Sequence, residues 1–418
     1  VRYLFILSIL LQANSLLASN TWTSFRGTDN DGWSNAADIP TAWSEEENIK
    51  WKTAIHDLGW SSPVIMDDQI WVTSATKDGK KMYAVCVSLE SGEILHDILV
   101  LENEKVQWKN ASNSYATPTP VIEKESVYAD FGTYGTVCID TKSGNIVWKR
   151  TDISSDRVPH GPASSPIVYK NLLIVHHEAS DILRITALDK RTGETVWQVH
   201  RPEELYKNVK TDWRKSHATP IIITVNEKDQ LVSSGARVCQ AFDPQTGKEI
   251  WRVAYGIDST VACPLFWNGL VYINTGLPTE DGKTEMWAVR PDGTGNVTET
   301  HVVWKYKDNV AEIPTPVVKE GLIFMINKNG DTSCIDAKTG GLIWMEKLEG
   351  RYNSSPAWIG GNVYFTNSKG KTTVIKAKRE FHVVADNQLE GQFVATPSVV
   401  GKSLILRSDS HLYRIENN

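Results

Sequence analysis

Apolar and polar residues alternate along this chain in short bursts separated by turn formers, and the bursts recur in a fixed order. Each unit opens with a small residue, a proline and a brief apolar run: Ser62-Pro63, Thr119-Pro120, Ser165-Pro166, Thr219-Pro220, Cys263-Pro264, Thr315-Pro316, Ser355-Pro356 and Thr396-Pro397. Eight residues beyond most of these prolines an apolar residue returns, at Trp71, Tyr128, Ile174, Tyr272, Phe324, Tyr364 and Ile405. Between them sit Lys170-Asn171, Asn268-Gly269, Glu320-Gly321 and Gly360-Gly361, pairs that predict tight hairpins. A further turn follows, as at Asp78-Gly79, Asn329-Gly330 and Lys369-Gly370, then a third strand and a fourth. No segment sustains a 3.6-residue period, so helices are excluded as the repeating element.

The third and fourth strands meet at a frame that reads Asp-x-x-[Ser/Thr]-Gly-x-x-x-Trp. It stands at Asp140 to Trp148, Asp189 to Trp197, Asp243 to Trp251 and Asp336 to Trp344, with Gly144, Gly193, Gly247 and Gly340 in the same slot. The eight prolines lie about 48 residues apart on average, the spacing of four-stranded propeller blades. The last set of strands, Pro397 to Ile415, lacks a fourth, and Asn48 to Ile55 is a fourth strand lacking the other three. The prediction is an all-β chain: an eight-bladed β-propeller of four-stranded antiparallel blades, closed by pairing the N-terminal strand with the C-terminal strands.

The repeated residues have structural work to do. The Asp carboxylate accepts backbone amides of the turn it begins, and the Gly takes the positive φ that closes it. The Trp lies on the outermost strand, where its area packs on the neighbouring blade and its indole N–H finds an acceptor. Some copies are degenerate: His96 replaces the Trp in the first blade, and the fifth expands its turn to RPDGTGNVTETHVVW with Trp304 as a late Trp. Cys86, Cys138 and Cys334 occupy the slot that is Ala187 and Ala241 elsewhere, a small buried position. Equivalent slots lie a repeat apart, too far for a disulfide, and none is expected.

Composition narrows the function. A net charge of −6 with no basic stripe excludes a nucleic-acid footprint. Arg2, the apolar run Leu4 to Leu11 and a small-residue region ending near Ala18-Ser19 have the layout of a secretory signal, so residues 1–19 are expected to be a leader and the protein exported, periplasmic or extracellular. The run is too short to span a bilayer, no later run approaches about 18 apolar residues, and no Cys stands at the cleavage point for lipidation. Residues 20–47 carry turn formers without alternation and are expected to form an irregular strap, leaving 48–418 as one propeller domain.

Through DTKSGNIVW, DKRTGETVW, DPQTGKEIW and DAKTGGLIW, the chain resembles the eight-bladed propellers of the pyrroloquinoline-quinone-like repeat class, whose tryptophan-docking motif these copies match. The resemblance covers roughly residues 48–418. The segments FRG (Phe25 to Gly27), HGPASSP (His160 to Pro166), AVRPDGTG (Ala288 to Gly295) and HLYRIE (His411 to Glu416) are similar to secreted bacterial propellers known mainly by this repeat. Two better-understood relatives share the motif: quinone-dependent alcohol and sugar dehydrogenases, and the BamB-type periplasmic propeller, which scaffolds outer-membrane barrel assembly. Fold alone does not choose between them. The dehydrogenases carry an adjacent Cys-Cys pair over the quinone, and some a haem Cys-x-x-Cys-His; this sequence has neither, and it has little insertion between blades to hold Ca²⁺ ligands.

Other catalytic patterns are missing from the sequence: no Gly-x-Ser-x-Gly elbow, no His-Glu-x-x-His, no phosphate loop and no EF-hand spacing. Useful groups concentrate on the third and fourth blades, at His160, His176, His177, Glu178, Asp181 and His217. Entries of innermost strands and the turns between second and third strands open on one face, so His160, His177, Glu178 and His217 are expected at the channel mouth. Neutral imidazoles with a carboxylate suit a transition metal or a polar ligand, and His160, His177 and His217 are the candidate metal ligands. The alternative is that strand alternation puts one of His176 and His177 in the core and the other in solvent, with the rest capping loops. Trp60, Asn113, Tyr115, Tyr352 and Phe393, at other entries, are expected to line the same mouth or to pack strand ends. The reading is an exported, monomeric, non-catalytic propeller that binds a protein or small molecule of the cell envelope. No cofactor is required. The alternative is a quinone- or metal-dependent oxidoreductase of the quinoprotein dehydrogenase type.

Overall fold

The computed structural model describes residues 21–156, 160–256, 259–277 and 283–417. The leader expected at 1–19 lies outside them. Eight sheets follow one another around a central channel, each built as a four-stranded antiparallel meander. The third blade is representative: Ile167–Tyr169, Leu172–Glu178, Leu183–Asp189 and Thr195–His200 run from the channel to the rim. The hairpin pairs do what their sequences predict, with φ of 47° and 77° at Asn268-Gly269 and 52° and 79° at Glu320-Gly321, both left-handed as a two-residue hairpin turn requires. Ile49–Ala54 pairs with His411–Ile415, so the eighth blade is assembled from both ends of the propeller domain.

Three blades carry a fifth strand beyond the four predicted. Gly295–Asn296, from the expanded turn of the fifth blade, pairs in parallel with Glu249–Ala254 and covers the outer edge of the fourth. The other two come from the N-terminal strap, which crosses the channel instead of lying outside the blades. Thr21–Trp22 pairs with Val64–Met66, the innermost strand of the first blade, and Trp33–Ser34 pairs in parallel with Ala357–Ile359, the innermost strand of the seventh. Innermost strands otherwise leave one row of backbone groups unpaired, and an irregular segment can satisfy part of that row. Ile39 and Trp43 then bury between the last two blades, Trp43 stacked on Tyr364 at 6.2 Å and held by Asn387.

Blade joins to blade through the repeated Trp and Gly. The Trp148 indole N–H donates to the Lys190 carbonyl at 2.9 Å, Trp197 to Pro244 at 3.2 Å and Trp344 to Lys378 at 3.2 Å, in each case one or two residues past the first position of the next turn. A Cβ on Gly193 would stand 2.8 Å from the Trp148 ring, so the glycine leaves room for the indole as well as taking φ of 76°. Trp251 is the exception: the expanded turn buries it completely and its N–H turns to Gln230 at 2.7 Å. The cysteine slot is small because it lies directly across the strand pair from the Trp, as Cys138 opposite Trp148 and Cys334 opposite Trp344. All five cysteines are buried and unbridged.

Candidate functional site at the channel mouth

The small residue before each proline is a hydrogen-bond acceptor, and the eight copies form a closed ring. The backbone N–H of Ser62 donates to Thr119 Oγ1 at 2.9 Å, Thr119 to Ser165 Oγ at 3.0 Å, Ser165 to Thr219 Oγ1 at 2.9 Å and Thr219 to Cys263 Sγ at 3.2 Å. Cys263 donates to Thr315 Oγ1 at 3.0 Å, Thr315 to Ser355 Oγ at 2.9 Å, Ser355 to Thr396 Oγ1 at 3.3 Å, and Thr396 back to Ser62 Oγ at 3.0 Å. A Ser or Thr oxygen fills this role with a short side chain, and the proline after it contributes no N–H that would need a partner of its own.

This ring is the lower tier of a cavity of 390 Å³ at the mouth of the channel. The upper tier is the residue two positions earlier in each blade: Trp60, Thr117, Ala163, His217, Val261, Ile313, Asn353 and Val394. Extended backbone turns residues i and i+2 to the same side, so each entry presents one variable residue above one ring residue. Phe25, at the crossing of the N-terminal segment, also lines the cavity. The next residue, Arg26, is 1% exposed and donates to the carbonyls of Thr315 at 3.0 Å, Pro316 at 2.7 Å and Pro356 at 3.3 Å, which fixes the segment across the channel.

The sequence candidates divide between the cavity and the core. Trp60, Asn113, His160 and His217 line the mouth cavity, with the His160 and His217 rings 6.0 Å apart. Tyr115, Tyr352 and Phe393 do not line it. Tyr115 packs edge-on against Tyr134 and donates to the Gln107 carbonyl, Tyr352 is completely buried and donates to the Glu349 carbonyl, and Phe393 is 1% exposed within the core. Each falls outside the i−2 register, whose occupants in those blades are Thr117, Asn353 and Val394.

His177 and Glu178 lie behind the mouth in a separate cavity of 30 Å³, with His217 on the wall common to both. Strand alternation sends His176 and His177 to opposite faces, and both faces are buried because a neighbouring blade covers each. His177 Nε2 meets Asp130 Oδ1 of the second blade at 3.2 Å. On the other face Arg201, invisible as a site residue in the sequence, binds Glu178 Oε1 at 2.5 Å, His176 Nε2 at 3.0 Å and Ser233 Oγ of the fourth blade at 2.6 Å. Burial alone would raise the Glu178 carboxyl; Arg201 and His176 outweigh it and hold it below the usual range. Burial, with help from Lys215 and His160, drives His217 down to about 3, so its imidazole is neutral, and its Nε2 has no hydrogen-bond partner among the described residues. His160 is lowered for the same leading reason. No group of three or more His, Cys, Asp or Glu among the described residues is placed to hold a metal ion: His160 and His217 come together, and His177 is engaged by Asp130 behind them.

Fold and cavity together define a propeller of the pyrroloquinoline-quinone-like repeat class with a ligand-sized channel mouth. The family model described as outer membrane protein assembly factor BamB matches residues 51–198, 183–313 and 296–380, and the chain belongs to that family. The structure of BamB from Moraxella catarrhalis superposes with a TM-score of 0.61 at 12% identity, covering 88% of this chain and 99% of that one. Tetrathionate hydrolase of Acidithiobacillus ferrooxidans is 21% identical over 275 residues, 64% of this chain and 52% of that protein. Quinohemoprotein alcohol dehydrogenase ADH-IIG of Pseudomonas putida is 29% identical over 149 residues, 32% of this chain and 19% of that protein. The matched region thus spans about half of the first relative's length and a fifth of the second's.

Proposed function

We propose that this protein is a non-catalytic binding propeller of the cell envelope, exported and monomeric, whose channel mouth holds a small molecule or a short segment of a partner. The observation that carries the reading is the two-tiered cavity: a ring of nearly identical residues beneath a tier of seven residue types, with Val alone used twice. A conserved frame with a variable rim is what a binding surface needs, since the frame sets the shape and the rim sets the choice of ligand. Membership of the BamB family supports a protein partner as one occupant.

Likeness to a quinohemoprotein favours the second reading, a quinone-dependent oxidoreductase. The donor set does not match it. The five cysteines stand apart from one another, so none forms the adjacent pair described above, and the carboxylates among the described residues do not gather into a cation site. The test is the absorption spectrum of protein purified from its native host, followed by titration with the quinone and Ca²⁺ in a dye-linked alcohol oxidation assay. Only Trp and Tyr absorption and no turnover are expected. Turnover by the loaded protein would replace the binding reading with the oxidoreductase one.

A further inference from the structure

We propose that the floor of the mouth cavity is an anion subsite, and that the ligand is a small organic oxyanion whose carboxylate or sulfonate sits on the hydroxyl ring. The inference rests on the ligand-binding reading above and names the chemical class of the occupant.

Two independent observations carry it. The first is the donor balance of the ring. A hydroxyl has one proton to give and two lone pairs. Ser62, Thr119, Ser165, Ser355 and Thr396 each accept a backbone N–H, and among the described residues none has an acceptor for its own proton. All five line the cavity. They offer O–H donors around one axis, an arrangement that suits the several lone pairs of an oxyanion, and the choice against an ammonium group falls to the charge beneath them.

The second is charge. Two guanidiniums lie just outside the cavity lining, and among the described residues neither forms an ion pair with a carboxylate. Arg26 grips the carbonyl of the ring residue Thr315, and Arg407, 2% exposed, donates to the carbonyls of Ser61 at 2.9 Å and Thr73 at 2.7 Å, next to both Trp60 and Ser62. Burial lowers them to about 10 and about 9, so both stay charged at neutral pH. Asp31 approaches Arg26 without forming an ion pair, and its carboxyl is itself raised to about 6 by burial. Lys215 and Asp212, of opposite charge, both line the cavity wall. Arg201 shows the contrast, since Glu178 neutralises it. Arg407, together with the part of the Arg26 charge that Asp31 leaves, gives the floor a positive potential.

Calorimetric titration of the full chain with benzoate and benzenesulfonate, against benzamide, benzenesulfonamide and benzylamine, tests the class. The anions are expected to bind at least ten-fold more tightly than their neutral counterparts, with no binding of benzylamine. Arg26→Met is expected to weaken benzoate at least ten-fold and leave benzamide unchanged. If that variant does not fold, the charge series on the unaltered chain decides alone. Equal affinity for benzoate and benzamide would overturn the anion subsite and leave the binding cavity standing. Failure of every compound to bind would overturn both.

Discussion

The backbone N–H of Thr396 donates to Ser62 Oγ at 3.0 Å, and this bond joins the last blade to the first. It closes the hydrogen-bonded ring at the channel just as Ile49–Ala54 closes the eighth blade at the rim. Ser62→Ala would leave the Thr396 N–H buried without an acceptor, at a cost of about 1–3 kcal/mol. Cys263→Ser preserves the acceptor and is expected to change stability by less than about 1 kcal/mol. Urea midpoints at an unchanged m-value measure both.

Two glycines with nearly the same φ, one in an outer turn and one in an inner hairpin, separate strain from contact. Gly193 and Gly269 sit at 76° and 77°, but a Cβ on Gly193 meets the Trp148 ring whereas a Cβ on Gly269 meets nothing within 4 Å. Both Ala variants lose about 1–2 kcal/mol to the left-handed backbone. Gly193→Ala is expected to lose a further 1–3 kcal/mol, roughly, by displacing the indole. Thermal denaturation of the two variants side by side gives the difference.

Behind the mouth, Glu178→Gln leaves Arg201 charged, 4% exposed and without its counter-ion. Breaking a buried pair from one side costs about 3–5 kcal/mol. Replacing both partners, in Glu178→Gln with Arg201→Met, is expected to recover part of that loss. A double-mutant cycle in urea measures the recovery.

The architecture was legible in the sequence because it is periodic. The spacing of the prolines, the Asp and Gly of DTKSGNIVW and the stray strand Asn48 to Ile55 were enough to count eight blades and close them. The mouth was legible in part. His217 and Trp60 fall in the i−2 register, but in the seventh blade the aromatic Tyr352 is the more conspicuous residue while its neighbour Asn353 holds the position. Ser62 and its counterparts read as merely small, since a bond from one blade to a hydroxyl in the next has no signature in either repeat alone. The strap itself was legible, but its path and the grip of Arg26 were not: a segment that crosses the channel pairs with residues some 40 to 330 positions away and has no period.

His217 makes stability depend on pH. The ordinary imidazole titrates at 6.5 and the folded one at about 3. Between those values the unfolded chain binds the proton and the folded chain does not, so stability is full above 6.5 and declines as pH falls toward 3. Asp31 runs the opposite way: raised from 3.8 to about 6, it favours the folded chain at the acid end of its window and loses that contribution as pH rises through it. His217→Gln removes only the first contribution, so its melting temperature is expected to fall less steeply than the parent's between pH 6.5 and 4. Differential scanning calorimetry across that range, with Asp31 unaltered in both proteins, isolates the difference.

The central claim is that the channel mouth is where this protein binds. Val261, in the upper tier, fills a position whose side chain faces the cavity and is not part of the hydrogen-bonded ring. Val261→Trp should fill the mouth without disturbing the ring below. Equilibrium titration of the parent and the variant with benzoate, at matched melting temperature, is the most direct test. The account predicts saturable binding to the parent and its loss, by at least ten-fold in affinity, in Val261→Trp. Undiminished binding to the variant would place the site elsewhere and contradict the account.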